Sequence, residues 1–383
     1  MAKHKIEDQN INQSLYYQLH LLNENLEYHL LGNHLLENGF ALLIGAYYFQ
    51  DQKLYSQAKK ILIPELEEQI LSDGAHFELS PMYHQLMLFR VLDSYNLIQN
   101  NSFFDQELLG LFKEKASKML SWLRQMTFSD GSIALLNDSA RKIASTTKQL
   151  ESYAQNLSVP KVDLPLKESG YRRVNNGRYE IILDIGQIGP DYIPGHAHSD
   201  TLNFELYING KPFIVDTGTS TYEKNARRTL ERSTASHNVV QVENLEQSEV
   251  WGGFRVGRRA SATIIEESNS FITASHNGFK KNGIIHKRSF FFEENVLTIE
   301  DEVLSLNTKN VTSNALLHFY PSISLDFHGE TIETSLASIT FASRNYTIIK
   351  EDVYDYAPEF NKRISAKKVS VKFQSKLTTV IQL

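Results

Sequence analysis

The chain has 383 residues, 39 basic and 45 acidic, for a formal net charge of -6, and 41% of its residues are apolar. That length holds one large domain or, as expected here, two ordinary ones, each with its own core. No apolar run approaches the roughly 20 residues that span a bilayer; the mild acidity excludes a global attraction for polyanions; and the lack of cysteine leaves any metal to His, Asp and Glu.

Residues 1–10 are polar and mixed in charge, without the apolar core of a signal peptide. The chain is therefore expected in the cytoplasm, or in the periplasm or medium if a leader has been removed. Apolar residues at spacings of three and four then predict helices over 14–31, 33–49, 51–71, 81–98 and 106–126. Leu35-Leu36 and Phe40-Ala41-Leu42-Leu43-Ile44 are apolar nearly all round, which predicts helices packed on more than one side, in layers or a ring. From 128 to 165 the pattern breaks: Ser129-Asp130-Gly131 reads as a turn, 142–157 is polar, and Pro160 and Pro165 bracket a linker. The expected division is a helical domain over 1–140, a linker over 141–166 and a strand domain over 167–383.

Beyond Gly170, alternating runs such as Tyr179-Glu180-Ile181-Ile182-Leu183-Asp184 and Leu202-Asn203-Phe204-Glu205-Leu206-Tyr207-Ile208 predict strands. Asn209-Gly210 reads as a hairpin turn, with Asn277-Gly278 and Asn282-Gly283 as further turns. The fold class is α+β and multidomain, with helices first and a large antiparallel β-sandwich after them.

Five short segments concentrate reactive side chains. In Gly195-His196-Ala197-His198-Ser199-Asp200, an extended backbone puts His196, His198 and Asp200 on one face, a geometry for a metal site, for a base beside a ligand, or for a merely polar loop. Asp216 ends the apolar run Pro212-Phe213-Ile214-Val215 ahead of Thr217-Gly218, where a carboxylate is suited to ligation. His237 either closes a His-Asp-His metal set with His198 and Asp216 or is a hydrogen-bonded structural histidine. In Gly32-Asn33-His34-Leu35-Leu36-Glu37, helical spacing lets Asn33, His34 and Glu37 share one edge, with Asn33 as a helix cap the plainer alternative. In Asp73-Gly74-Ala75-His76-Phe77-Glu78-Leu79-Ser80-Pro81-Met82-Tyr83-His84, Ser80-Pro81 starts a helix. Tyr83 then falls in its first turn, where the positive helix end favours charge developing on a phenol oxygen; packing is the plainer role.

With Trp251-Gly252-Gly253-Phe254-Arg255-Val256-Gly257, these segments resemble, in order and over residues 30–260, the heparinase II/III superfamily of polysaccharide lyases, which includes heparinase III and the oligoalginate lyases. The resemblance implies an incomplete (α/α) toroid followed by an antiparallel β-sandwich. It also implies cleavage of uronic-acid glycans, of heparan sulfate, alginate or exopolysaccharide type, by β-elimination: C5 loses a proton, the C4 oxygen leaves, and no water is consumed. Tyr83 and His196 are then the acid/base pair, since imidazoles titrate near neutrality and phenols at about 10. Asn33 and His34 neutralise the uronate carboxylate and the enolate-like charge beside it, and Glu37 orients His34. A structural metal is implied on His198, Asp216 and His237, zinc being favoured and calcium or manganese the alternatives, with Asp200 as support behind them.

Two arginine groups, Arg227, Arg228 and Arg232 and then Arg255, Arg258 and Arg259, lie in the matched region. Arg228, Arg232 and Arg255, with His84, are the expected glycan contacts. Members of the family carry a longer helical segment before the motif at Gly32, so the toroid is expected to be shortened, or completed by a second copy or a partner chain. The competing readings are an acidic-glycan-binding protein that keeps the fold without turnover, and a metal-dependent hydrolase built on His198, Asp216 and His237.

Overall fold

A computed structural model describes residues 8–306, 311–343 and 347–383; residues 1–7, most of the stretch read above for a leader, lie outside the described residues. The chain divides into two compact units, a helical one of Met1–Phe77, His84–Arg124 and Ser145–Pro165 and a strand unit of Glu78–Tyr83, Gln125–Ala144 and Leu166–Leu383.

The helices are α1 (Gln9–Glu24), α2 (Gly32–Phe49), α3 (Gln52–Gln69), α4 (Pro81–Gln99), α5 (Gln106–Gln125) and α6 (Thr147–Asn156), with a short α7 (Ala226–Glu231) among the strands. The first five follow the apolar periodicity closely, with one difference in α1. It starts earlier than expected because the Asp8 carboxylate caps it, accepting from the Asn10 N–H at 2.8 Å. It also stops earlier, because the Glu27 N–H goes to Asn38 Oδ1 at 2.9 Å instead of continuing the helical ladder. Helix α2 is covered on two sides: a Cβ added at Gly39 would sit 2.9 Å from Leu62 of α3, and one at Gly45 would sit 2.4 Å from Leu19 of α1. The two glycines let three helices approach more closely than any side chain would allow.

The expected 141–166 linker is in part a helix. Thr146 and Gln149 form a capping box that starts α6, and Leu150 and Ala154 are buried. So short a helix, with so few apolar positions, leaves little periodicity to read. The stretch 125–144, expected with the helical domain up to 140 and with the linker beyond it, belongs to the strand unit, where Leu135, Leu136 and Asp138 are buried.

The strand unit is built of antiparallel sheets. The first has Tyr171–Asn175, Tyr179–Asp184, Phe204–Ile208 and Lys211–Ile214 in chain order. Asn209 and Gly210 both take positive φ, 50° and 71°, as the expected two-residue hairpin requires. An eight-stranded sheet holds the strands from Ala262–Glu267 to Val296–Ser305, with the C-terminal Lys376–Gln382 inserted between Val296–Ser305 and Ser338–Ser343. A third sheet joins Ile348–Glu359, Lys362–Gln374, Thr312–His318 and Val240–Val242. Alternate residues from all three, among them Ile181, Phe204, Phe290, Ile299, Leu317, Val369 and Val371, meet in one buried core, as a sandwich demands. The loops between Asp184 and Val256 carry the reactive histidines.

Candidate active site

Three backbone segments of the strand unit lock together. The Ser80 hydroxyl caps α4, accepting from the Tyr83 N–H at 3.2 Å, and donates to the Asp138 carbonyl at 2.7 Å. Asn137, at φ 56°, donates its amide to the Leu79 carbonyl and the Tyr171 hydroxyl and accepts from the His198 N–H at 3.1 Å. The Asp138 N–H donates to the His196 carbonyl at 3.0 Å. Tyr83 and His196 are thereby held ring against ring, with centroids 3.9 Å apart and planes 32° from parallel.

Asp138 is the hub. It is fully buried and accepts from both terminal nitrogens of Arg228, from His196 Nδ1 at 2.9 Å and from His198 Nε2 at 2.9 Å. Burial alone would raise its pKa, but the two histidine hydrogen bonds and the Arg228 charge hold the carboxyl well below the usual range. An ionised carboxylate only accepts, so a neutral His196 carries its proton on Nδ1 and a neutral His198 on Nε2. Nε2 of His196, 3.8 Å from Glu78 Oε2, is left as the basic nitrogen, and Nδ1 of His198 as a lone-pair donor. Burial pushes the Tyr83 phenol up to about 12, only partly offset by the neighbouring Tyr222 hydroxyl, so it is a proton donor at neutral pH. Phe254 meets the His196 ring edge-on at 5.8 Å, and the Arg228 guanidinium lies over Tyr222 and Phe254. The His196 side chain keeps 13% of its exposure, so it is walled by aromatic rings yet reachable.

Beyond His196, Nδ1 of His198, Oδ2 of Asp200 and Nε2 of His237 are buried without a hydrogen-bond partner, and one ligand atom from each of these residues lies within 4.8 Å of the others. Bare buried polar atoms around one point are costly unless a cation joins them, and the donor set fits a divalent metal that prefers nitrogen and oxygen. Burial lowers His198 to about 4 and raises Asp200 to about 6. For His237 burial works downward, but the Asp216 charge and hydrogen bond override it and push the imidazole up to about 9. Asp216 accepts from His237 Nδ1 at 2.7 Å, from Asn203 Nδ2 at 2.6 Å and from the Gly218 N–H at 2.9 Å. The cluster of bare atoms therefore differs from the expected set of His198, Asp216 and His237: Asp200, expected as support, takes the place of Asp216, whose oxygens already accept hydrogen bonds and which turns Nε2 of His237 toward the cluster. Arg288, paired with Asp301, donates to the Leu202 and Asn238 carbonyls at 2.9 and 2.7 Å and braces the loops that follow Asp200 and His237.

Several expected contacts prove to be structural. Arg228 is buried and spends its guanidinium on Asp138 and the Gly253 carbonyl. Arg232 is buried and donates to the carbonyls of Ala197 and Gly253. Neither is offered to a glycan. His84, in the helical unit, is a core histidine: Nε2 meets the Met119 carbonyl at 2.9 Å, Nδ1 accepts from the His76 N–H, and burial lowers it to about 4. Arg255 is exposed, as expected of a ligand contact.

In the helical unit, Asn33 lies inside α2 and is not its cap; the capping position is Leu31, with no side-chain bond. His34 is 54% exposed at its side chain, 3.9 Å from Glu27. Glu37 does not orient it, because the Arg90 guanidinium takes both Glu37 oxygens, at 2.9 and 3.1 Å. A guanidinium from another helix offers that carboxylate a charge-assisted hydrogen bond that leaves His34 without it.

Sequence reasoning missed Asp138, Tyr222 and Glu78. Asp138 sits in Leu135-Leu136-Asn137-Asp138-Ser139, within the stretch where regular patterning fails, and an acidic residue beside buried leucines was the available signal. A family model described as heparinase II/III-like, C-terminal, matches residues 160–383, and one for the heparinase II/III N-terminus matches 11–161. The chain belongs to the heparinase II/III family. Among its relatives, a heparin-sulfate lyase of Bacteroides stercoris is 26% identical over 314 residues, 72% of this chain and 44% of the relative. A solved heparinase III superposes with a TM-score of 0.77 at 17% identity, covering 96% of this chain and 63% of that one. A heparan sulfate lyase of Pedobacter heparinus gives 0.72 at 16% identity, covering 97% and 63%. The fold is thus that of the heparinases, and the chain spans under half of the curated relative's length.

Proposed function

We propose that this heparinase II/III family chain is a polysaccharide lyase that cleaves acidic, uronate-containing glycans by β-elimination. The observation that carries the reading is the Tyr83–His196 pair, set ring against ring and fixed by the ionised Asp138. Nε2 of His196 takes the proton from C5 of the uronate, and the neutral Tyr83 phenol gives its proton to the C4 oxygen as the C4–O bond breaks. The electron pair of the C5–H bond becomes the C4–C5 double bond, and the glycan ends as two chains, one with an unsaturated uronate. Asp138 stabilises the imidazolium without itself taking the proton.

A divalent metal, when bound, would supply fixed positive charge at His198 and His237 with the Asp200 and Asp216 carboxylates, tying together the loops around the His196 segment. Zinc suits two imidazoles and a carboxylate. The named activities of the relatives make heparan-type chains the first substrates to test, with chondroitin and alginate beside them.

The test is the ultraviolet absorbance of the conjugated double bond on that panel of glycans. Product that appears with the parent protein and is lost in Tyr83→Phe and His196→Ala, both still folded, supports the assignment. Reducing-end release without that absorbance would make the protein a hydrolase; tight binding without either would make it a binding protein.

A further inference from the structure

The tryptophan motif is not absorbed by this chemistry. Val250–Trp251 pairs with Arg255–Val256 in a small hairpin whose tip is Gly252-Gly253-Phe254. Both glycines take positive φ, 59° and 82°, which other residues rarely adopt, so the tip turns tightly. Its inner side is fastened: the Gly253 carbonyl accepts from Arg228 and Arg232, each at 2.9 Å, and Phe254 packs on His196 and Tyr222. The other residue pair is open. Trp251 is 50% exposed, and the Arg255 guanidinium lies over its indole at 5.1 Å.

Among the six arginines of the two groups in this region, Arg255 stands apart. Arg227 pairs with Glu231 and Asp355. Arg228 and Arg232 are buried in the site. Arg258 donates to the carbonyls of Glu246, Gln247 and Gly278, and Arg259 to those of Pro190 and Asp191. Arg255 has no ion-pair partner among the described residues. The aliphatic stem of Lys224 lies against the tip, its Cγ 3.2 Å from where a Cβ on Gly253 would stand. An exposed indole offers a flat apolar face to a pyranose ring, and an uncommitted guanidinium offers a planar fork to a carboxylate or sulfate.

We infer that Trp251 and Arg255 form a sugar subsite beside the reacting position, taking a pyranose that bears a carboxylate or sulfate. The inference rests on the lyase reading for the identity of the glycan, and on the hairpin for the place. Phe254, on the same tip, touches His196, so a chain reacting at His196 runs onto the Trp251–Arg255 pair. Because the pair holds a sugar other than the one being cleaved, it acts on binding more than on the chemical step.

Fluorescence tests this directly. The protein has two tryptophans, and Trp122 is fully buried, so an aqueous quencher such as acrylamide reads Trp251. In the Tyr83→Phe variant, which holds substrate without turnover, a heparan, chondroitin or alginate oligosaccharide should shield Trp251 from acrylamide; a neutral glucan should not, and Arg255→Ala should remove the shielding. In the active protein, Trp251→Ala and Arg255→Ala should raise KM by about tenfold and leave kcat within about twofold. Unshielded Trp251 with every acidic oligosaccharide, equal shielding by neutral glucan, or unaltered KM in both variants would each overturn the subsite. Shielding that depends on Arg255 without any unsaturated product would keep the subsite and discard the lyase reading. Product with unchanged KM would do the reverse.

Discussion

The two units treat their reactive residues differently. In the strand unit, His196 is held by a buried carboxylate that is itself saturated by Arg228 and His198, and each segment carrying the set is tied to the next by backbone hydrogen bonds. In the helical unit, His34 stands half in solvent and Glu37 is committed to Arg90. Tyr83 and His196 are thus ordered before any ligand arrives, whereas no neighbour among the described residues fixes the exposed His34 ring. Fixed geometry thus marks the strand unit's histidines, and exposure the histidine of α2.

The contrast predicts its largest effect at Asp138. Asp138→Asn can no longer hold both histidines in their tautomers, and initial rates of unsaturated product should fall by about ten-thousandfold, as for other carboxylates that orient a catalytic imidazole. Glu37→Gln should cost less than about threefold in the same assay, being an exposed ion pair. Similar losses in the two variants would break the comparison.

Arg228→Ala should be next. It strands a buried carboxylate and should cost about 3–5 kcal/mol in urea unfolding. Were Arg228 a glycan contact instead, KM would rise with the unfolding midpoint unchanged.

The metal cluster gives a smaller effect. Zinc at a hundredfold excess over its Kd should stabilise the protein by about 2.7 kcal/mol, seen as a higher unfolding midpoint that a chelator reverses. His237→Ala, Asp200→Asn and Asp216→Asn should each weaken zinc binding by about tenfold or more in calorimetry. Full affinity in all three variants would place the metal elsewhere.

The smallest effect is one the two units share. His84 in the helical unit is lowered to about 4 by burial, and His276 in the strand unit is well below its ordinary value, through burial and then the His286 and Arg288 charges. The folded state keeps them neutral while the unfolded chain takes up protons below about pH 6.5. Their contribution is therefore present above that pH and lost as pH falls toward 4, by about 2 kcal/mol for His84 at pH 5 relative to full neutrality. Urea midpoints measured from pH 7 to 5 should fall accordingly, and His84→Gln should flatten the slope by about one proton. An unchanged slope would mean that His84 is not held neutral.

Much of this was legible in the sequence. Helical periodicity located α2, α4 and α5, because each buries a continuous stripe, and alternation with Asn209-Gly210 located the first sheet. The order of motifs was enough for the family, and His196, His198, His237 and Tyr83 stand out because reactive types cluster there. Other features were hidden by the same logic. Helix α6 is too short to show a period, and Glu37, the single acid of α2, gave no sign that Arg90, on another helix, would claim it.

What the sequence determined by itself is the inventory: helices then antiparallel strands, a His-x-His, a tyrosine in the first turn of a helix, and arginines around a tryptophan motif. Tertiary structure alone decided who partners whom. Asp138 is 58 residues from His196 and 90 from Arg228 along the chain, and nothing local marks it as the group that sets two tautomers and consumes one arginine. Local propensity follows from each residue and its near neighbours, while a pKa, a tautomer or a free guanidinium follows from charges that only folding brings within a few ångströms.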